Sequence, residues 1–193
     1  MVYEAKNFDH LLGTSGFSDK LLTTHFGLYQ GYVKNVNLLM ELLKSGKLEG
    51  PQFAEIIRRF GWEFNGMRLH ELYFGNMSKN KTSADEKSKF LKQINADFGS
   101  FEKWETNFKA VGTMRGIGWD ILAYDPLGNK MFNIWVNEHD AGHLADSVPL
   151  LIMDVFEHAF VMDYGMNRAD YIKAFFNAID WKTVVNRFDK CAF

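Results

Sequence analysis

Leu150-Leu151-Ile152-Met153-Asp154-Val155-Phe156-Glu157-His158-Ala159-Phe160 is the stretch on which the reading of this 193-residue sequence turns. Four apolar residues with the pattern of a buried strand run directly into an Asp, a Glu and a His. An ionisable group at the buried end of a strand is costly unless it is paired or ligates a metal. A metal held by Asp154 and His158 meets that demand. So do an ordinary ion pair and a helix start in which Asp154 caps and Glu157 sits in the first turn. This stretch alone leaves the three open.

The composition is that of an ordinary soluble globular chain, long enough to bury a core without staples. Its aromatic content stands out: 18 Phe in an aromatic share of 16% imply aromatic-lined packing and a dry site. A net charge of −2 argues against nucleic-acid binding and against a polybasic membrane anchor. Cys191, the single cysteine, cannot form an intrachain disulfide, which fits a reducing cytoplasm. The first residues, Met1 to Asn7, lack the apolar core of a signal peptide, and no apolar run approaches the ~20 residues a membrane span needs.

Outward from the opening stretch, the first half of the chain reads as helix. Apolar residues from Leu21 through His25, Tyr29, Tyr32, Val36 and Leu43 recur at spacings of three and four, with Gly27 and Gly31 suggesting a kink or break near His25. A second such run covers Phe53 to Phe74, loosened by Gly61 and Gly66, so the two predict a helical hairpin. Gly75 to Asp85 is polar and aperiodic and reads as a linker. Helices are predicted over Glu86–Ile94 and Phe101–Val111. The period then changes: Trp119–Tyr124 and Met131–Val136 are strand-like around a turn at Asp125-Pro126-Leu127-Gly128-Asn129, and Val148–Met153 supplies a third strand. Helical segments over Asp170–Ile179 and Trp181–Phe188 close the chain. The expected fold class is α+β: an N-terminal helical hairpin domain, residues 1–84, followed by a C-terminal α+β domain, residues 85–193, with a three-stranded antiparallel sheet.

Six histidines carry the chemical question. His10 reads as surface. His25 and His70 lie on the inward faces of the hairpin helices, where a satisfied core histidine is the commoner outcome. His139 and His143 follow the second strand, where a metal pair at helical spacing and an exposed loop explain them equally well. His158 belongs to the opening stretch. Together, His25, His70, Asp154 and His158 make a nitrogen and oxygen donor set suited to iron or manganese, with no thiolate to recruit a softer metal; zinc also accepts such donors.

At this point the residues resemble the iron/manganese superoxide dismutases over nearly the whole chain. Asp154-Val155-Phe156-Glu157-His158-Ala159-Phe160 is similar to that family's D-x-W-E-H-A-Y/F metal motif. The likeness continues through Asp163-Tyr164, Arg168, Asp170-Tyr171 and Ala174-Phe175-Phe176-Asn177 to Trp181. Gly116-Ile117-Gly118-Trp119, Pro149-Leu150-Leu151 and Phe64-Asn65-Gly66 match as well. The resemblance implies one Fe or Mn ion per subunit, held by His25, His70, Asp154 and His158 between the two halves. It also implies redox cycling that converts superoxide to oxygen and hydrogen peroxide. Tyr32 matches the family's Tyr beside the metal-bound solvent. His139 is the expected second partner, since the iron-type Gln position four before His70 is Gly66; Glu138 and His143 are the neighbours that could replace it. Glu157 implies a homodimer, or a tetramer, in which it reaches His158 of the partner subunit. Arg168 and Lys34 are candidates for drawing in the anion, against the plain reading of solvated charges.

The chain also departs from the family pattern. His25 and Tyr32 are seven positions apart rather than eight, a shortening expected to be absorbed at a helix break. Tyr29 and Val161 replace both members of a His–Tyr pair that crosses the dimer, implying an altered substrate funnel. Phe74 and Phe156 stand where Trp is usual and preserve an aromatic wall. Two other classes compete: a non-catalytic protein of the same fold, opposed by the intact donor set, and a zinc hydrolase, opposed by the lack of an H-E-x-x-H pattern. The sequence does not choose between iron and manganese.

Overall fold

The hydroxyl of Ser18 accepts from Leu21 N at 3.0 Å and starts α1 (Asp19–Lys44). In the computed structural model, which describes residues 2–80 and 82–192, α1 runs unbroken through His25. The expected kink is absent. At Gly27 and Gly31 nothing lies within 4 Å of where a Cβ would be, so neither glycine marks a crowded or bent point. A mid-helix glycine costs only about 0.5–1 kcal/mol relative to alanine, which packing easily outweighs. In an unbroken helix, seven residues are close to two turns of 3.6. His25 and Tyr32 therefore share one inward stripe with Leu21, Tyr29 and Val36. The shortened spacing is absorbed by regular helix geometry rather than by a break.

The second hairpin helix, α2 (Gly50–Gly75), is also continuous. Its buried residues, among them Gly66, His70 and Phe74, lie in its C-terminal half, while Phe53 and Ile57 nearer the start are exposed. A Cβ on Gly66 would fall 2.6 Å from the Tyr32 ring, so glycine here admits that ring rather than loosening the helix.

The polar segment that follows is fastened rather than free, though Lys81 within it lies outside the described residues. Ser78 N donates to Ala178 O at 2.7 Å and Thr82 Oγ1 to Ile179 O at 2.9 Å. The next helix, α3 (Lys89–Phe98), begins later than the predicted Glu86 because Ser88 caps it, accepting from Leu91 N. It runs past Ile94 to Gly99, whose φ of +88° ends it. Ser100 caps α4 (Phe101–Gly112) in the same way.

Three antiparallel strands follow: β1 (Gly118–Asp125), β2 (Lys130–Asn137) and β3 (Val148–Asp154), in the order β2-β1-β3. Trp119 on the central strand pairs with Val136 on one side and Asp154 on the other. β3 is an edge strand, which accommodates Pro149, and its free side is closed by a side chain. Asn76 Oδ1 accepts from Ile152 N at 2.9 Å and Asn76 Nδ2 donates to Ile152 O at 3.2 Å, as a neighbouring strand would. After a 3-10 turn at Glu157–Ala159 come α5 (Val161–Tyr164), which the sequence pattern did not indicate, then α6 (Arg168–Asn177) and α7 (Trp181–Cys191). From α7, Arg187 donates to Leu72 O on α2, Leu150 O on β3 and Asn76 Oδ1, at 2.8–3.1 Å, tying the two halves together. Among the described residues, no helix is long and apolar enough to cross a membrane.

Candidate metal centre

Four elements converge where the halves meet. α1 brings His25, α2 brings His70, β3 ends on Asp154, and the 3-10 turn after it carries His158. Asp154 Oδ2 lies 3.2 Å from His25 Nε2, 3.2 Å from His158 Nε2 and 3.6 Å from His70 Nε2. One donor atom from each residue falls within 4.8 Å of every other. Asp154 Oδ1 accepts from Phe156 N at 2.9 Å, which orients the carboxylate, so the capping reading survives only as this local bond. Burial alone would raise the Asp154 pKa, but the charge and hydrogen bond of His158 and the bond of His25 hold it well below the usual range. Burial pushes the His25 and His70 imidazoles down, so both are neutral at pH 7.

The donor chemistry fits a single cation. His70 Nδ1 lies 2.6 Å from Gly66 O, a partner that can only accept, so Nδ1 carries the proton and Nε2 presents a bare lone pair. Among the described residues, that fully buried Nε2 has no hydrogen-bond partner. A buried acceptor left unmatched costs about 1–3 kcal/mol. An ion held by all four residues would satisfy it.

Beside the cluster, Tyr32 Oη lies 2.8 Å from His139 Nε2. Trp119 Nε1, which can only donate, lies 3.0 Å from His139 Nδ1. Nδ1 must therefore accept, and the imidazole carries its proton on Nε2 and donates to Tyr32. Burial lowers the His139 pKa to about 4, consistent with this neutral form. The Tyr32 hydroxyl proton is thereby left free to point elsewhere. Burial, then the negative charges of Asp154 and Glu63, raise the Tyr32 pKa and keep the phenol protonated.

Other expectations fare unevenly. His139 is fully buried rather than on an exposed loop, whereas His143 is exposed and bonds His139 O. Glu138 bonds Trp62 Nε1 rather than Tyr32. Tyr29, which stands where the family's funnel His is usual, is fully buried, accepting from Lys6 N at 2.9 Å and donating to Glu71 at 3.1 Å. Glu157 is exposed, not buried, and forms no ion pair among the described residues; the 3-10 turn directs it away from the strand's interior. Arg168 donates to Met114 O and Gly116 O, which holds the loop before β1. Sequence reasoning missed Trp62, which packs on both His139 and Tyr32, and the tautomer-setting role of Trp119. The only trace of Trp62 was a Trp on the helix that carries His70.

Comparison with known proteins agrees with this geometry. Residues 86–187 match the family described as iron/manganese superoxide dismutases, C-terminal domain. The chain is 35% identical to the manganese superoxide dismutase of Haloarcula marismortui over 176 residues, 90% of this chain and 86% of that protein. It is 35% identical to the iron superoxide dismutase of Cupriavidus metallidurans over 185 residues, 90% and 89% of the two chains. It is 32% identical to the iron superoxide dismutase of Pyrobaculum aerophilum over 84% of its own length and 79% of that protein's. With likeness of this extent and a three-histidine, one-aspartate cluster at the junction of its halves, the chain belongs to the iron/manganese superoxide dismutase family.

Proposed function

We propose that His25, His70, Asp154 and His158 hold one iron or manganese ion, and that the chain uses it to disproportionate superoxide into oxygen and hydrogen peroxide. The observation that carries this reading is the convergence of three imidazole nitrogens on one buried carboxylate oxygen, with His70 Nε2 otherwise unmatched. When bound, such an ion supplies alternating one-electron oxidation and reduction of successive superoxide ions.

The protein's own part is positional and protonic. Reducing superoxide to peroxide consumes two protons, and a dry aromatic pocket offers few donors. Trp119 N–H fixes the His139 tautomer, His139 Nε2–H donates to Tyr32 Oη, and the Tyr32 O–H is left to serve an anion at the site. When Tyr32 gives up that proton, the hydrogen-bonded His139 Nε2–H is placed to stabilise the phenolate until it is reprotonated. Burial keeps both groups in these forms at neutral pH.

A second copy of the chain is assigned to the face that carries Glu157, with Glu157 reaching His158 of the partner subunit. Support comes from the exposure of that carboxylate, the His158 side chain left 27% exposed, and the neighbouring exposed Val161 and Met162. A cavity of about 500 Å³ lined by Glu157, Phe160, Arg115 and Arg168 lies on this face. A cytoplasmic site of action is consistent with the lone Cys191.

Metal analysis beside a superoxide-consumption assay tests the function. About one Fe or Mn per chain is expected, with both metal and activity lost in His70→Ala. His139→Ala should keep its metal and lose about 10–100-fold in activity, as outer-sphere partners generally do. A metal-free native protein, or stoichiometric zinc without dismutation, would overturn the reading.

A further inference from the structure

We infer that Trp62, anchored by Glu138, is the positioning residue that holds His139 in register with Tyr32. The inference rests on the reading of His139 as the proton-donating partner of Tyr32. His139 sits at the tip of a short loop closed by reciprocal Asn137–Ala141 backbone bonds of 2.7 and 3.3 Å. Its two nitrogens are held by Trp119 and Tyr32, and two further rings bound its flanks. Phe156 lies 4.9 Å away, and Trp62 lies 4.5 Å away in an edge-to-face arrangement, the shorter contact of the two. The same indole reaches Tyr32 at 5.7 Å, so it covers both partners of the 2.8 Å bond.

The indole is itself held from two directions. Its Nε1 donates to Glu138 Oε2 at 3.0 Å. Glu138 takes a φ of +50°, a left-handed conformation that a long, unbranched, non-glycine residue rarely adopts. This uncommon backbone places a carboxylate beside the indole and the next side chain, His139, in the core. Above the indole, the Arg59 guanidinium stacks at 4.1 Å while donating to the buried Glu63 at 2.8 Å. The stack Arg59–Trp62–His139 thus runs from a half-exposed cation on α2 to the relay. Rigid support of this kind maintains a hydrogen bond against the rotation of a small ring. Trp62 supplies no donor to the ligand set, and it acts through the His139–Tyr32 pair that it covers.

The test compares Trp62→Ala, Trp62→Phe, Glu138→Ala and Glu138→Gln. In the full chain loaded with zinc, which is diamagnetic, NMR reads the exchange of the His139 Nε2 proton with water. In the iron- or manganese-loaded enzyme, kcat and KM are measured at known metal content. Trp62→Ala is expected to speed proton exchange at least about 10-fold and to lower kcat about 10-fold, with KM and metal content close to the parent's. Trp62→Phe and Glu138→Ala should fall between. Glu138→Gln, which keeps an acceptor for the indole, should restore parental behaviour. Unchanged proton exchange in Trp62→Ala, or a kcat loss matched by metal loss, would overturn the positioning role. If His139→Ala itself keeps full activity, the relay reading has failed; if His139→Ala is impaired while Trp62→Ala is not, only the role of Trp62 has failed.

Discussion

Two glycines on α2 invite the same substitution and should respond with opposite sign. At Gly61 nothing lies within 4 Å of an added Cβ, whereas at Gly66 the Cβ would sit 2.6 Å from two carbons of the Tyr32 ring. Carbon atoms rest at about 3.5–4.0 Å, so the ring must retreat by about 1 Å. That movement stretches the 2.8 Å bond to His139 beyond hydrogen-bonding range. Overpacking costs about 1–3 kcal/mol and the lost bond about 0.5–1.5 kcal/mol, offset by about 0.5–1 kcal/mol of improved helix propensity. Gly66→Ala should therefore destabilise by about 1–3 kcal/mol, while Gly61→Ala stabilises by about 0.5–1 kcal/mol. At about 2–4 °C per kcal/mol for a chain of this size, melting temperatures should move down by about 2–12 °C and up by about 1–4 °C. Circular-dichroism melts at matched metal content give the first measurement, and dismutation per bound metal the second. Activity should fall about 10-fold or more in Gly66→Ala alone. Equal melting shifts at the two positions, or full activity in Gly66→Ala, would refute the claim that this glycine exists to seat Tyr32.

Asp120, on β1, is fully buried, and burial raises its pKa well above the ordinary range, opposed by the backbone of Gly112. Its folded-state pKa exceeds the unfolded value, so its contribution is most favourable below about pH 4 and erodes as pH rises toward the folded pKa, by about 1.4 kcal/mol per unit. Asp120→Asn removes that slope: its stability gain over the parent should grow from pH 4 to pH 7, and parallel denaturation curves across that range would contradict the assignment. Arg187→Met strips three bonds from buried acceptors and should lower stability by about 2–4 kcal/mol in urea titrations; an unchanged midpoint would show that the fork does not join the halves.

Periodicity made the hairpin and the strands legible, and the turn at Asp125–Asn129 joined the first two strands. The four members of the metal cluster were legible mainly through likeness to a family, because spacing alone left His25 and His70 as ordinary core histidines. What escaped depended on partners distant in sequence. A glycine's effect within α1 could not be read without knowing whether anything packs against it. The partners of Tyr29 were hidden because one of them, Lys6 N, lies in an aperiodic segment 23 positions away. Spacing alone left His139 between a metal pair and an exposed loop, and only family likeness placed it beside Tyr32, because nothing local reports that Trp62, Trp119 and Phe156 gather around it. Asp120 could have been found from the sequence, since an acid in the middle of an otherwise apolar strand is a buried acid.

The Asn76 amide at the rim of β3 sets a schedule for biosynthesis. Asn76 and Arg187, joined in the finished protein, are 111 positions apart. At about 5–20 residues per second, the hairpin waits on the order of 5–20 s for α7 to leave the ribosome. Until then the hairpin has an uncovered apolar face, an opening for association with other nascent chains. A metal ion cannot meet all four of its residues before position 158 has emerged, so loading competes with aggregation. Chaperone supply and metal supply during those seconds would then jointly govern the yield of active enzyme.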